Sequence, residues 1–181
     1  MPRSRNRRFN ARTLVALAAI ALPVVWFTSA FVEAVVYGGV HRHEGYTDVD
    51  LQALGRFPFN SDTGTIEEVP SKFRALDGQR VVMTGFMYNQ LAAGPRVHNF
   101  EFVYNLQKCC FGGPPKVQER VFARCPGHTS VPYTYDELCR LTGILHVKID
   151  RDAISGGVTS VYTLDVEKSE RVKGGLFGLF D

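Results

Sequence analysis

Residues 138–150 read LCRLTGILHVKID, and this stretch decides the fold class. Leu141, Gly143, Leu145, Val147 and Ile149 alternate with Arg140, Thr142, Ile144, His146 and Lys148. A period of two is the signature of a strand with one face on a core and one toward solvent. Cys139 shares parity with Leu141 and Leu145, so its side chain is expected to point inward. Working outward, Gly156-Gly157 reads as a turn. Val158 to Val166 follows as a further strand, with Tyr162 and Leu164 inward. Upstream, His98 to Leu106 sets Phe100, Phe102, Tyr104 and Leu106 against Glu101, Val103 and Asn105. Arg80 to Tyr88 and Val117 to Cys125 complete the series, the second of them more weakly patterned; Cys125 shares parity with Val121 and Ala123.

Five such strands, with Gly85 and Gly143 in the interiors of the first and fourth, suit a small closed barrel. Interior glycines mark the sharp bends that closure needs. The expected fold is mainly β: a five-stranded OB-like barrel over residues 76–168, preceded by one N-terminal transmembrane helix. A small sandwich is the second choice.

The N-terminal third differs. Residues 1–12 hold five arginines (Arg3, Arg5, Arg7, Arg8, Arg12) and no acid. The net charge is +3, from 21 basic and 18 acidic residues, so without that tail 16 basic face 18 acidic residues. A nearly neutral body argues against a nucleic-acid-binding face. Thr13 to Val32 is a run of 20 residues without a charge. At 1.5 Å per residue such a helix is about 30 Å long, the thickness of a bilayer core. Pro23 kinks it, which membrane helices tolerate, and Trp26 and Tyr37 suit the interfaces. The arginines precede the run, so the positive-inside rule puts the N-terminus in the cytoplasm and the rest outside. The expected arrangement is a basic tail (1–12), a single-pass helix (13–37) in the cytoplasmic membrane, a juxtamembrane connector (38–75), the extracytoplasmic barrel (76–168) and an apolar tail (169–181). The rival is a cleaved signal peptide, with processing after Thr28-Ser29-Ala30 or Val32-Glu33-Ala34. The apolar run exceeds the roughly 7–15 residues of a signal core.

Within the connector, Thr47 and Asp50 resemble a capping box for a short helix that Gly55 ends. Phe57-Pro58-Phe59 breaks any regular element, Ser61 to Glu68 reads as a loop, and Pro70 to Leu76 as a helical turn stopped by Asp77-Gly78.

Three blocks carry a family resemblance: Leu76-Asp77-Gly78-Gln79-Arg80-Val81, then Thr84-Gly85-Phe86-Met87, then Cys109-Cys110-Phe111-Gly112 with Pro114-Pro115. With the strand Gly143-Ile144-Leu145-His146-Val147, they resemble the bacterial extracytoplasmic family DUF3299 over about residues 70–168. The resemblance implies an OB-like fold and a secreted or anchored location, and no reaction. The chain adds Cys125, Cys139 and the stretch Arg124-Cys125-Pro126-Gly127-His128, which the family pattern does not contain.

Outside the cytoplasm, four cysteines suggest disulfides. The adjacent Cys109 and Cys110 are too close to bridge each other, their Cα atoms lying about 3.8 Å apart. The open pairings join one of them to Cys125 or Cys139. A bridge to Cys125 closes a loop of roughly 15 residues, worth about 3 kcal/mol. The rival use of these thiols is a metal site built from Cys109, Cys110, Cys125 and His128. The chain has no Cys-x-x-Cys pair, so neither zinc-finger nor thioredoxin-like spacing is present. His41-x-His43 lacks a third ligand. His98 and His146 fall on different strands without a carboxylate partner evident in the sequence. No nucleophile elbow, phosphate loop or dinucleotide fingerprint occurs. The row Phe100, Phe102, Tyr104 suits either a barrel core or a stacking platform for bases or sugars, with the core favoured. In the tail, Leu176, Phe177, Leu179 and Phe180 on a glycine-rich terminus suit docking to membrane or protein, or folding back on the body.

Two functions follow. The first is a membrane-anchored binding or scaffold module, a non-catalytic accessory subunit of a larger membrane complex, with lipid bilayer and membrane protein as partners and no nucleic acid. The second is a thiol- or metal-handling factor in cofactor delivery or envelope assembly. No cofactor is expected beyond a thiolate-bound metal in that second case.

Overall fold

The computed structural model describes residues 19, 21–23, 38–88, 94–107, 113–127, 129–134 and 136–172. The chain divides into two compact units, Met1–Gly38 and Gly39–Asp181. In the first unit, residues 19 and 21–23 are helical. Among the described residues no helix is long and apolar enough to cross a membrane. Most of the expected span over 13–37 lies outside the described residues.

The second unit is mainly β. Its strands are β1 (Val40–His43), β2 (Tyr46–Val49), β3 (Gln79–Tyr88), β4 (Arg96–Val97), β5 (Asn99–Val103), β6 (Arg120–Arg124), β7 (Val131–Pro132), β8 (Cys139–Arg151) and β9 (Val158–Arg171). Short helices α1 (Leu51–Leu54) and α2 (Ser71–Arg74) lie between β2 and β3. Seven strands form one mixed sheet in the order β1-β2-β3-β5-β6-β9-β8, and β3 also pairs with β8. The pairings of β3, β5, β6, β9 and β8 therefore run in a closed circuit. All contacts in it are antiparallel except β6 with β9. β4 and β7 make a separate two-stranded sheet.

The alternation expected for 138–150 is present. Cys139, Leu141, Leu145 and Val147 are buried, whereas Arg140 and Lys148 are exposed. On β9, Tyr162 and Leu164 are fully buried, as expected. Phe100 and Phe102 are also fully buried, their rings 6.5 Å apart and edge-to-face. These two rings fill the core and do not form an open stacking platform; Tyr104 is half-buried. The interior is thus packed with large apolar side chains, among them Met83, Met87, Leu141 and Leu145.

Two glycines are fixed by close approach. A Cβ on Gly143 would run into the carbonyl oxygen of Asp165 and lie 2.9 Å from its carbonyl carbon. The register of β8 on β9 shifts between Thr142 and Gly143, so this is a bulge. A Cβ on Gly85 would come within 2.6 Å of the Val103 carbonyl oxygen and 2.8 Å of the Leu51 side chain.

The segment read as a connector is built into the second unit. β2 runs parallel to β3, and Val49, Leu51, Leu54, Val69 and Phe73 join the core. The short helix ends at Gly55 as expected, but its N-cap is Asp50 alone, whose carboxylate accepts from the Gln52 N–H at 2.8 Å. Thr47 instead lies on β2 and pairs with Val81. Leu51 and Leu54, one turn apart on the same face of α1, are both buried, so this stretch packs rather than merely links. Asp77-Gly78 forms the expected turn. Gly78 has φ of 70° and donates to the Leu145 carbonyl at 2.8 Å. The Asp77 carboxylate accepts from the Val147 N–H at 2.9 Å, capping β8 where β3 runs out.

Candidate functional site

The most chemically varied surface is the outer face of the circuit. Cross-strand registers align Tyr88, Glu101, Phe122, Thr163 and His146 in one row over β3, β5, β6, β9 and β8. The next row places Asn99, Arg124, Asp165 and Ile144 side by side. Alternation turns these away from the core residues that flank them on each strand, and of them Thr163 is itself buried.

Asp165 is the hub. The Arg124 guanidinium donates to it through Nε, and through Nη2 at 3.3 Å. His146 Nε2 donates at 3.0 Å to Oδ2, the oxygen that also accepts from Arg124 Nη2. The Arg124 hydrogen bond, with His146 adding to it, holds the Asp165 carboxyl below the usual carboxylate range against a partial burial that pushes the other way. A carboxyl lowered in the folded state contributes its full stabilisation above the unfolded value of about 4, and that contribution is lost as pH falls through the lower folded value. Asp165→Asn is therefore expected to cost about 1 kcal/mol in urea unfolding at pH 7. The deficit should shrink as pH falls below about 4 and vanish only below the folded carboxyl's lowered value, and a deficit that does not change with pH would contradict the pairing.

Nearby, Glu101 accepts from Arg120 Nη1 at 2.6 Å through one oxygen. Its other oxygen is buried with no hydrogen-bond partner. Arg80 and Glu167 pair at 2.8 Å on the same outer surface. The charged groups of this face largely engage one another.

The cysteine expectations need correction. Cys125 and Cys139 are both free and buried, so neither takes part in the expected structural disulfide. Cys125 sits beside β4, its thiol 3.8 Å from the Val97 carbonyl. Burial pushes both thiols up from their ordinary range, so they stay protonated and poorly nucleophilic at neutral pH. Cys139 faces inward as its parity required, with the Thr134 hydroxyl beside its thiol. Cys109, Cys110 and His128, the remaining metal and disulfide candidates, lie outside the described residues. So do the docking candidates Leu176, Phe177, Leu179 and Phe180. Among the described residues no group of three or more metal-ligating side chains is assembled. Iodoacetamide at pH 8 followed by peptide mapping should leave Cys125 and Cys139 unlabelled in the folded protein and label both in urea. Labelling of Cys139 at the same rate in both states would contradict its burial.

His41 and His43 are exposed on β1, with His43 stacked on Tyr46 at 4.9 Å. His98 donates from Nδ1 to the Thr129 carbonyl at 2.6 Å, a structural bond. His146 does have a carboxylate partner, contrary to the sequence expectation. Asp165, Arg124, Glu101 and Arg120 were not singled out from sequence. Their only signal was outward parity on predicted strands, which every polar strand residue shares.

No family model matches the chain, and no curated protein matches it. Among solved structures, the chain is similar to the crystal structure of a DUF3299 family protein from Pseudomonas aeruginosa PAO1. The TM-score is 0.43 and the sequence identity 16%, and the match covers 56% of this chain and 66% of that one, just under two thirds. That neighbour belongs to the family whose motifs the sequence resembles.

Proposed function

We infer that this chain is a membrane-anchored extracytoplasmic module and a non-catalytic accessory subunit of a larger membrane complex. One helix over 13–37 tethers it to the cytoplasmic membrane, with the N-terminal arginines inside. The β unit is an OB-type barrel: a circuit of five strands whose third and fifth members, β6 and β9, run parallel. The packing of the barrel carries the reading. Phe100, Phe102, Tyr162 and their apolar neighbours fill the interior, and burial keeps the thiols of Cys125 and Cys139 protonated and poorly nucleophilic. What such a module offers a partner is its outer surface. The charged groups of that surface are positioned by one another through the Arg124–Asp165 and Arg120–Glu101 pairs.

The test is the native mass of the full chain extracted from membranes in mild detergent. An accessory subunit runs with a larger assembly, and a lone species of 20.2 kDa contradicts the reading. The thiol- or metal-handling alternative draws on the same four cysteines, and the burial of Cys125 and Cys139 weighs against it. Metal analysis and thiol counting on the purified chain separate the two.

A further inference from the structure

The β1–β2 hairpin makes a juxtaposition that neither strand shows alone. Its turn is Glu44-Gly45, with Gly45 at φ of 85°. Across the turn His43 pairs with Tyr46, and His41 with Asp48. Residues two apart on a strand, and residues directly opposite on its neighbour, share one face. His41, His43, Tyr46 and Asp48 therefore stand on the same face, and all four are exposed. Thr47 and Val49, on the opposite face, are buried. The third ligand that His41-x-His43 lacked in the sequence is thus supplied by the cross-strand register.

Two imidazoles and a carboxylate form a donor set for a divalent ion of the zinc and copper class. Mg2+ and Ca2+ take oxygen ligands and match this set poorly. The two histidines are spaced about 7 Å along β1, and Asp48 lies about 5 Å across from His41. Side chains of this length can meet above the face at the metal–donor distance of about 2.0–2.2 Å. In this structure the three do not converge on one point, and His43 lies stacked on Tyr46 with ring centroids 4.9 Å apart. Convergence needs side-chain rotation alone. The side chains of His41 and Asp48 have no hydrogen bond or ion pair to give up. The backbone beneath them is fixed, because β2 pairs in parallel with β3 through Thr47, Asp48 and Val49. Glu44 in the turn adds a second carboxylate beside the face, and alternation turns Arg42 to the other side of β1.

We propose that the outward face of the β1–β2 hairpin binds a divalent ion of the zinc and copper class through His41, His43 and Asp48, with water in the remaining position. The site uses no thiol. It is independent of the tether and of the accessory-subunit reading, and it does not revive the cysteine-based alternative.

The test is calorimetric titration of Zn2+ into the metal-stripped full chain in mild detergent, with accessible thiols alkylated beforehand. One site is expected. His41→Ala and His43→Ala should each weaken it at least about 10-fold, no less than the loss of an outer-shell partner costs. Asp48→Asn should weaken it as well, and Arg42→Ala, on the opposite face, should leave it unchanged. All four positions are exposed, so circular dichroism should show the same fold in every variant. With Cu2+ as the probe, electron paramagnetic resonance should show coupling to two imidazole nitrogens, reduced to one in either histidine variant. Absence of Zn2+ binding, binding that survives both histidine substitutions, or an equal loss in Arg42→Ala each overturns the proposal. None of these outcomes alters the native mass on which the accessory-subunit reading is judged.

Discussion

Gly143→Val is expected to abolish folding of the β unit, and Gly143→Ala to destabilise it by more than about 3 kcal/mol. The obstacle is main chain, not a movable side chain. A Cβ at 143 lands on the Asp165 carbonyl and within 3.1 Å of Val166 Cα. Relief requires β8 and β9 to separate where β8 also pairs with β3 through Val81. Opening that seam breaks the circuit of pairings at its most crowded point. Circular dichroism and urea unfolding of the full chain in mild detergent measure it. A Gly143→Ala variant as stable as wild type would mean that the β9 bulge opposite Gly143 is not formed.

Phe102→Ala is the second large effect, expected at about 3–5 kcal/mol. Phe102 is fully buried, edge-on to Phe100, and pairs with Met87 on β3 and Val121 on β6. Its neighbours lie on strands fixed by hydrogen bonds, so they collapse only partly into the space left behind. Tyr162→Phe provides the contrast. It keeps the volume and removes only the hydroxyl that donates to the Leu54 carbonyl at 3.2 Å, for about 1–2 kcal/mol. Equal costs for the two variants would mean that Phe102 lies at a surface, where a stacking role would again be open.

These effects trace what the sequence encodes. Alternation over 138–150 specified which side chains enter the core, down to Cys139 and Gly143, because a period of two is a local property of each strand. The turn at Asp77-Gly78 and the helix stop at Gly55 were legible for the same reason. The parallel contact of β6 with β9 was not, since nothing in either strand records its neighbour. The hub at Asp165 was hidden likewise: its partners stand 41 and 19 residues away in sequence, and only the register brings them together. The stretch 38–75 looked like a connector because its apolar residues are scattered among prolines and acids. Val49, Leu51, Leu54 and Phe73 become a core-facing set only once β2 is laid beside β3. The cysteines misled through compartment chemistry. An oxidising location favours bridges, but Cys125 and Cys139 occupy interior positions that small apolar residues would also fill.

The proposed function turns on the proposed tether more than on any of these contacts. The decisive measurement is protease accessibility of a carboxyl-terminal epitope on the full chain, compared between spheroplasts and inverted membrane vesicles. The account predicts digestion in intact spheroplasts and protection in inverted vesicles. Protection in spheroplasts with digestion in inverted vesicles would contradict it, and would leave a β unit facing the cytoplasm with no claim to an extracytoplasmic partner.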